Sequence, residues 1–293
     1  MRELKILAVL VFFTGVLYWG VEPFAHHQMH PHVDAPEYSF SDLKDVRSGK
    51  IGNTQSGKQL VVNQFQCQSC HSMTVDGNKI GASMNLGVMT PDLTTAGLIY
   101  NDRYLASFIA NPAKASRVEH KFRDGTMHPM TKFDLNYDGI FGDDDAQGVA
   151  DIVAFLKSIT PAKLTNKEVF SDACQRCHSI KYGDFYGGSM KAFSDASEYM
   201  GKTPPDLSQY IRSRSKNYLH EFINDPQKHL KGTSMPRVGL TLEAEQQVIS
   251  YMEEVGDSKK EQREALGPKV LGYLVIFAIF AFLWKIKIWR EIH

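Results

Sequence analysis

Two runs of the chain are nearly free of polar side chains, one near each end. Ile6–Val21 is apolar apart from Thr14, and Val270–Trp284 carries no charge. With Leu266 before it and Lys285-Ile-Lys-Ile-Trp289 after it, the second run reaches the length of a membrane-spanning helix. Between the two, the pattern changes to the spacing of amphipathic helices. Two successive regions each predict a first helix (Ser56–Gln66; Asn166–Ala173), a middle helix (Asn101–Ala110; Ser215–Asn224) and a closing helix (Ala146–Ser158; Leu242–Val255).

The first apolar run leaves through Trp19-Gly-Val-Glu-Pro-Phe24, which offers no small-x-small cleavage site, so it reads as an uncleaved anchor over residues 1–23. Arg2 and Lys5 at one end, and Lys285, Lys287 and Arg290 at the other, place both termini in the cytoplasm by the positive-inside rule. The expectation is a protein of the bacterial inner membrane. A juxtamembrane linker, 24–53, leads to two domains on the periplasmic side, and residues 258–293 form the second anchor. Lys+Arg and Asp+Glu both number 33 in the 293 residues, so no net field argues for nucleic acid as a partner; membrane lipid is the partner the apolar runs imply.

The chain has 4 cysteines, and they occur as Cys67-Gln-Ser-Cys70-His71 and Cys174-Gln-Arg-Cys177-His178. Both are C-x-x-C-H. That spacing lets two thiols add across the vinyl groups of one haem while the following histidine reaches the iron. Disulfides, a thioredoxin-like pair or a zinc knuckle would each leave the histidine unexplained twice. The cofactors expected are therefore two covalently attached haem c groups, held by Cys67 and Cys70 with His71, and by Cys174 and Cys177 with His178.

The chain also repeats itself. Pro91-Asp-Leu93 returns as Pro205-Asp-Leu207, and Tyr104-Leu-x-x-Phe-Ile-x-x-Pro112 as Tyr218-Leu-x-x-Phe-Ile-x-x-Pro226. Gly125-Thr126 and Pro129 return as Gly232-Thr233 and Pro236. Two copies of one domain follow, at 54–161 and 162–257. The order C-x-x-C-H, P-D-L, helix, Met-Pro loop, closing helix resembles the class I c-type cytochromes. The resemblance implies an all-α fold of two tandem class I cytochrome c domains between two transmembrane helices.

It also implies Met235, in Gly232-Thr-Ser-Met-Pro236, as the second axial ligand of the second domain. In the first domain, the residue opposite Met235 is His128, flanked by Met127 and Met130; any of the three can supply the ligand. The first copy is longer just beyond this point, where Asp134-Leu-Asn-Tyr-Asp-Gly-Ile-Phe-Gly-Asp-Asp-Asp145 matches an EF-hand-type calcium loop. Asp134, Asn136, Asp138 and Asp145 would bind through side chains and Ile140 through its carbonyl. Position 12 is Asp rather than Glu, and a solvated acidic turn is the alternative. His26-His-Gln-Met-His-Pro-His32 reads as a hydrated juxtamembrane segment and is assigned no site.

Several features of the second half resemble cytochrome c1. They are Cys177-His-Ser-Ile180, Thr203-Pro-Pro-Asp-Leu-Ser208 with Arg212 and Arg214, the tail Gln262-Arg-x-x-x-Gly-x-Lys-Val-Leu-Gly-Tyr-Leu274, and Trp289. Taken with the first domain and first anchor, the chain resembles the di-haem cytochrome c1-type subunit of bacterial cytochrome bc1 complexes. The resemblance implies electron transfer rather than catalysis by this chain alone. Electrons would pass from the Rieske iron–sulfur subunit, beside cytochrome b, to a soluble cytochrome c or terminal oxidase. The second domain is expected to receive them, being tied closely to its anchor, while the longer stretch Glu22–Asn53 lets the first sit further out. The alternatives are the di-haem subunit of a cbb3-type oxidase, a free-standing membrane shuttle, and a di-haem peroxidase, which needs an open axial position.

Overall fold

The computed structural model describes residues 2–29, 39–81, 90–122, 128, 130, 145–186 and 201–292. The N-terminal apolar run is helical, as α1 (Arg2–Val16), a π turn (Leu17–Val21) and α2 (Glu22–Met29). No residue of α1 is buried.

In the first domain α3 (Thr54–Lys58) starts at Asn53, whose side chain accepts from Ser56 N at 2.9 Å, and continues as a π-helical stretch, Gln59–Gln64. Beyond Cys70 the chain forms a small antiparallel hairpin, β1 (Met73–Val75) and β2 (Asn78–Ile80). Then come α4 (Ala96–Ile99), α5 (Asp102–Ala110), α6 (Pro112–Ala115) and α7 (Asp145–Ser158). The second domain has α8 (Asn166–Cys174), α9 (Tyr210–Ser213), α10 (Lys216–Asn224), α11 (Pro226–His229) and α12 (Leu242–Gly256), and α13 (Lys260–Ile292) follows.

The hairpin is an addition to the expected all-α fold. Its cause is local: Asp76 and Gly77 both take positive φ, +50° and +77°, the geometry that an Asp-Gly pair supplies to a two-residue hairpin turn. It leaves the helical architecture intact, because Met73 and Val75 point into the same core as Val61 and Phe155.

The repeat is visible in how the helices start. Asn101 caps α5 by accepting from Arg103 N and Tyr104 N, and Ser215 caps α10 by accepting from Tyr218 N at 3.2 Å. Pro112 and Pro226 then open α6 and α11 at the same point, where a missing N–H costs nothing. Thr165 and Glu168 form a reciprocal capping box on α8. Each such cap is worth about 1 kcal/mol.

In both domains the first helix crosses the last. A Cβ on Gly57 would lie 2.0 Å from Asp151 O, so only glycine lets α3 approach α7 this closely. In the second domain, Phe170 of α8 meets Tyr251 of α12 with ring centroids 5.1 Å apart.

The two domains are packed on each other. Leu98–Asn101 and Arg237–Thr241 run side by side. Asn101 N donates to Gly239 O (2.9 Å), Thr241 N to Ile99 O (2.8 Å), and Tyr100 and Leu240 form an antiparallel bridge. Ile99 is counted in the second domain's core, and Tyr100 packs against the apolar clusters of both domains.

The expected linker 24–53 is folded at both ends. Helix α2 carries on to Met29, and from residue 39 the chain is packed: Phe40 and Leu43 are buried against Tyr104 and Ala115. Residues 39–53 therefore belong to the packed first domain rather than to a linker. Apolar side chains at 40 and 43, embedded in a polar stretch, are the physical reason.

Arg2–Ala25 and Lys260–Glu291 are long and apolar enough to cross a membrane, and neither is buried in the protein. Lys285 pairs with Glu3, which sets the N-terminal end of α1 beside the C-terminal end of α13.

Candidate haem sites

In each domain the C-x-x-C-H residues form one tight turn. Cys70 N and His71 N donate to Cys67 O at 3.1 and 2.8 Å; Cys177 N and His178 N donate to Cys174 O at 3.1 and 2.9 Å. Both thiols and the histidine are thus brought to a single small patch. All four cysteines are free thiols and half-buried. Burial pushes the Cys67 thiol up to about 11 and the Cys174 thiol to about 12, and raises Cys177. These are neutral thiols, the opposite of the low-pKa thiolate that a disulfide oxidoreductase needs.

The histidines are oriented by the P-D-L motif. His71 Nδ1 lies 2.8 Å from Pro91 O, and His178 Nδ1 lies 2.9 Å from Pro205 O. A carbonyl only accepts, so Nδ1 carries the proton in both rings and Nε2 keeps its lone pair for a metal. Burial lowers the pKa of both histidines, against the raising effect of the proline carbonyls, so the neutral ligand form is favoured.

The aspartates between these prolines and leucines fix the loops. Asp92 accepts from Ser72 Oγ (2.7 Å) and Thr94 N (2.8 Å), and Asp206 accepts from Ser208 N (3.0 Å) and Lys181 N (3.2 Å). Burial opposes ionisation of both carboxyls, but these hydrogen bonds hold them below the ordinary range. Leu93 N and Leu207 N close the same geometry by donating to Ser72 O and Ser179 O, each at 2.8 Å. Two unbridged cysteines beside a histidine whose Nε2 keeps its lone pair, repeated in both domains, suit covalent haem, so the residues present fit that group.

In the second domain, Met235 is half-buried and its N–H donates to Thr233 Oγ1 at 3.2 Å. In the first domain His128 and Met130 are both half-buried. Met127 lies outside the described residues, as do Asp134, Asn136, Asp138, Ile140 and the side chain of Asp145. The His128 ring sits edge-on to Phe108 and Phe122, with centroids 6.0 and 5.3 Å away, and burial followed by the charge of Lys121 lowers its pKa to about 4. Met130 N donates to His128 Nδ1 at 3.1 Å. The neutral ring therefore carries its proton on Nε2, the reverse of His71 and His178.

Sequence reading did not find the residues that join the two sites. Arg176, between Cys174 and Cys177, reaches Tyr100 of the first domain, Nη2 to Oη 3.5 Å. Thr95 Oγ1 donates to Asp172 Oδ2 at 2.7 Å across the same seam. Only the identity of residue 176, a charged residue inside an attachment motif, hints at this in the sequence.

The fold and these two sites define a protein built to carry covalent haem. The cytochrome c family model matches residues 54–160 and again residues 166–256, more than half of the chain. The chain belongs to the cytochrome c family, whose domains hold haem c covalently and transfer electrons. Among solved structures it is similar to a chain from one titled "Hyperthermophilic respiratory Complex III". The two are 20% identical, the match covers 44% of this chain and 75% of that one, and the TM-score is 0.35. No curated protein matches it.

Denatured protein is expected to retain two covalent haems per chain by pyridine haemochrome assay. Cys67→Ser or Cys174→Ser should weaken or abolish attachment in its own domain only; a single haem in the unsubstituted protein, or haem extracted by acid, would contradict the assignment.

Proposed function

We propose that this chain is the di-haem cytochrome c1-type subunit of a bacterial bc1 complex, held in the inner membrane with both domains on the periplasmic side. It takes electrons from a Rieske subunit and passes them to a soluble cytochrome c or terminal oxidase. Bound haem supplies a one-electron carrier whose iron changes valence without bond breaking. The chain supplies attachment through Cys67, Cys70, Cys174 and Cys177, the oriented ligands His71 and His178, and Met235 on the far side of the second site. A thioether favours ferrous iron and so a high potential.

One observation carries the reading beyond a generic cytochrome: the domain with the c1-like residues is braced directly onto a helix of spanning length. Glu253 of α12 binds Lys260 at the start of α13, and Asp257 binds Arg263 one turn on, each at 2.5 Å. Such a mount keeps the second domain at the membrane surface, where a Rieske head reaches it, and the second domain is accordingly proposed as the entry point. The proposal rests on this mount and on the c1-like residues.

For the first domain the proposed ligand is Met130, with Met127 as the alternative. His128 is disfavoured because its Nε2 carries the proton. Calcium at Asp134, Asn136, Asp138, Asp145 and the Ile140 carbonyl is proposed to tie the insertion to the start of α7.

Purified under mild detergent, the chain should bring with it b-type haem and a Rieske cluster. In that preparation Met235→Ala should block reduction of both domains by quinol. Isolation of the chain alone would refute the complex, and reduction of the first domain in the Met235→Ala protein would reverse the order.

Met130→Ala should remove the first domain's thioether–iron charge-transfer band and lower its potential. Loss of the band with Met127→Ala instead would move the assignment to that residue.

Calcium chelation should shift the first domain's potential or melting temperature, and Asp134→Ala should make the protein indifferent to chelator. Metal analysis that finds no calcium would leave an acidic turn.

A further inference from the structure

We infer that the first domain holds the axial-ligand loop of the second, and that Arg237 is the positioning residue through which it does so. The inference rests on the reading of Met235 as a ligand.

Arg237 stands two residues beyond Met235, with a proline between them, so there is little slack between the two. It is 2% exposed, and five residues hold it. Its N–H donates to Ser116 O at 2.9 Å, and its carbonyl accepts from Tyr104 Oη at 2.6 Å. Its Nη1 donates to both oxygens of Asp42, at 3.1 and 2.9 Å, while its guanidinium lies over the Phe40 ring, 5.5 Å from the centroid. All of these partners belong to the first domain or to the segment leading into it. Only Nε turns to the second domain, donating to Asn224 O at 3.0 Å.

The contact continues on both sides. Gly239 lies against Tyr104 so closely that a Cβ would come within 2.0 Å of the ring, and its φ of +75° is the left-handed conformation that glycine tolerates. Arg117 binds Asp42 at 2.9 Å and Asp225 at 2.5 Å, so the carboxylate that grips Arg237 is itself tied, through Arg117, to the residue just before α11. Asn224 is buried and donates to Glu245 Oε2 at 2.5 Å. The second domain holds the loop before Met235 through Gln227, which donates to Thr233 O and accepts from Gly232 N, and after Arg237 through Val238 N on Ile223 O at 3.4 Å; at Arg237 itself it offers one hydrogen bond, and there the first domain sets where the Met235-Pro236 turn ends.

Axial thioether bonds are weak and depend on preorganisation of the loop that presents the sulfur. If the first domain supplies that preorganisation, disturbing it at a distance should affect the ligation of the second site without touching any ligand.

The test uses the full chain in detergent with both haems attached. Met235→Ala defines the part of the thioether–iron charge-transfer band that belongs to the second domain. Tyr104→Phe, which removes one hydroxyl, and Asp42→Asn, which removes one charge, should each shrink that part and lower the second domain's midpoint potential; Asp42→Glu should restore it. Arg237→Ala should abolish it, and because that variant leaves a hole in the seam, the two milder variants carry the test if it does not fold. If Met235→Ala leaves the band whole, the ligand reading itself fails. If Met235→Ala removes its part but Tyr104→Phe and Asp42→Asn only lower the melting temperature, with band and potential unmoved, Arg237 pins the domains together and does not position the ligand loop, and the inference is overturned.

Discussion

Everything in the two sites depends on where one proton sits. In each domain a proline carbonyl lies within 2.9 Å of Nδ1 of the motif histidine and compels that nitrogen to donate. The other nitrogen is then left bare toward the patch where both thiols converge. The carbonyl is placed by the leucine two residues on, which returns a hydrogen bond to the residue after the histidine, and by the aspartate between them. A three-residue motif thereby sets a tautomer, which is why it recurs in both copies. His128 shows the reverse arrangement, with Met130 N donating to its Nδ1.

The duplication has not produced two independent modules. Leu98–Asn101 and Arg237–Thr241 make a continuous seam, and a buried arginine held by five residues sits at its end. A typical hydrogen bond contributes about 0.5–1.5 kcal/mol net, whereas a buried donor left unpaired costs about 1–3 kcal/mol. The seam therefore resists partial opening: separating the domains would strand Arg237 and the Tyr104 hydroxyl together. Such rigidity suits electron transfer, in which fixed distance matters more than motion. The Arg176–Tyr100 contact places the same rigid seam directly against one attachment motif.

The join to the C-terminal apolar helix is equally compact. Glu253 takes both Lys216 and Lys260, so a single carboxylate joins α10, α12 and the start of α13. The N-terminal segment, in turn, packs Phe40 and Leu43 into the first domain before leading back toward α1 and α2.

What the sequence by itself determined is what short-range geometry controls. A C-x-x-C-H turn closes on itself, a spanning helix needs only an apolar run of sufficient length, and caps at Asn101, Ser215 and Thr241 act within one turn. The C-x-x-C-H turns, the repeat and the two apolar helices are legible in this way. The Asp76-Gly77 hairpin turn is equally local. Tertiary structure alone decided which face of each copy meets the other. Tyr104 and Tyr218 occupy the same place in the repeat, yet Tyr104 is buried in the seam while Tyr218 lies against Phe222 and His229. Asp42 and Arg237 are 195 positions apart, and nothing local distinguishes them from any other surface pair. Their meeting depends on how two folded domains dock, a property of shape that no pattern of neighbouring residues encodes.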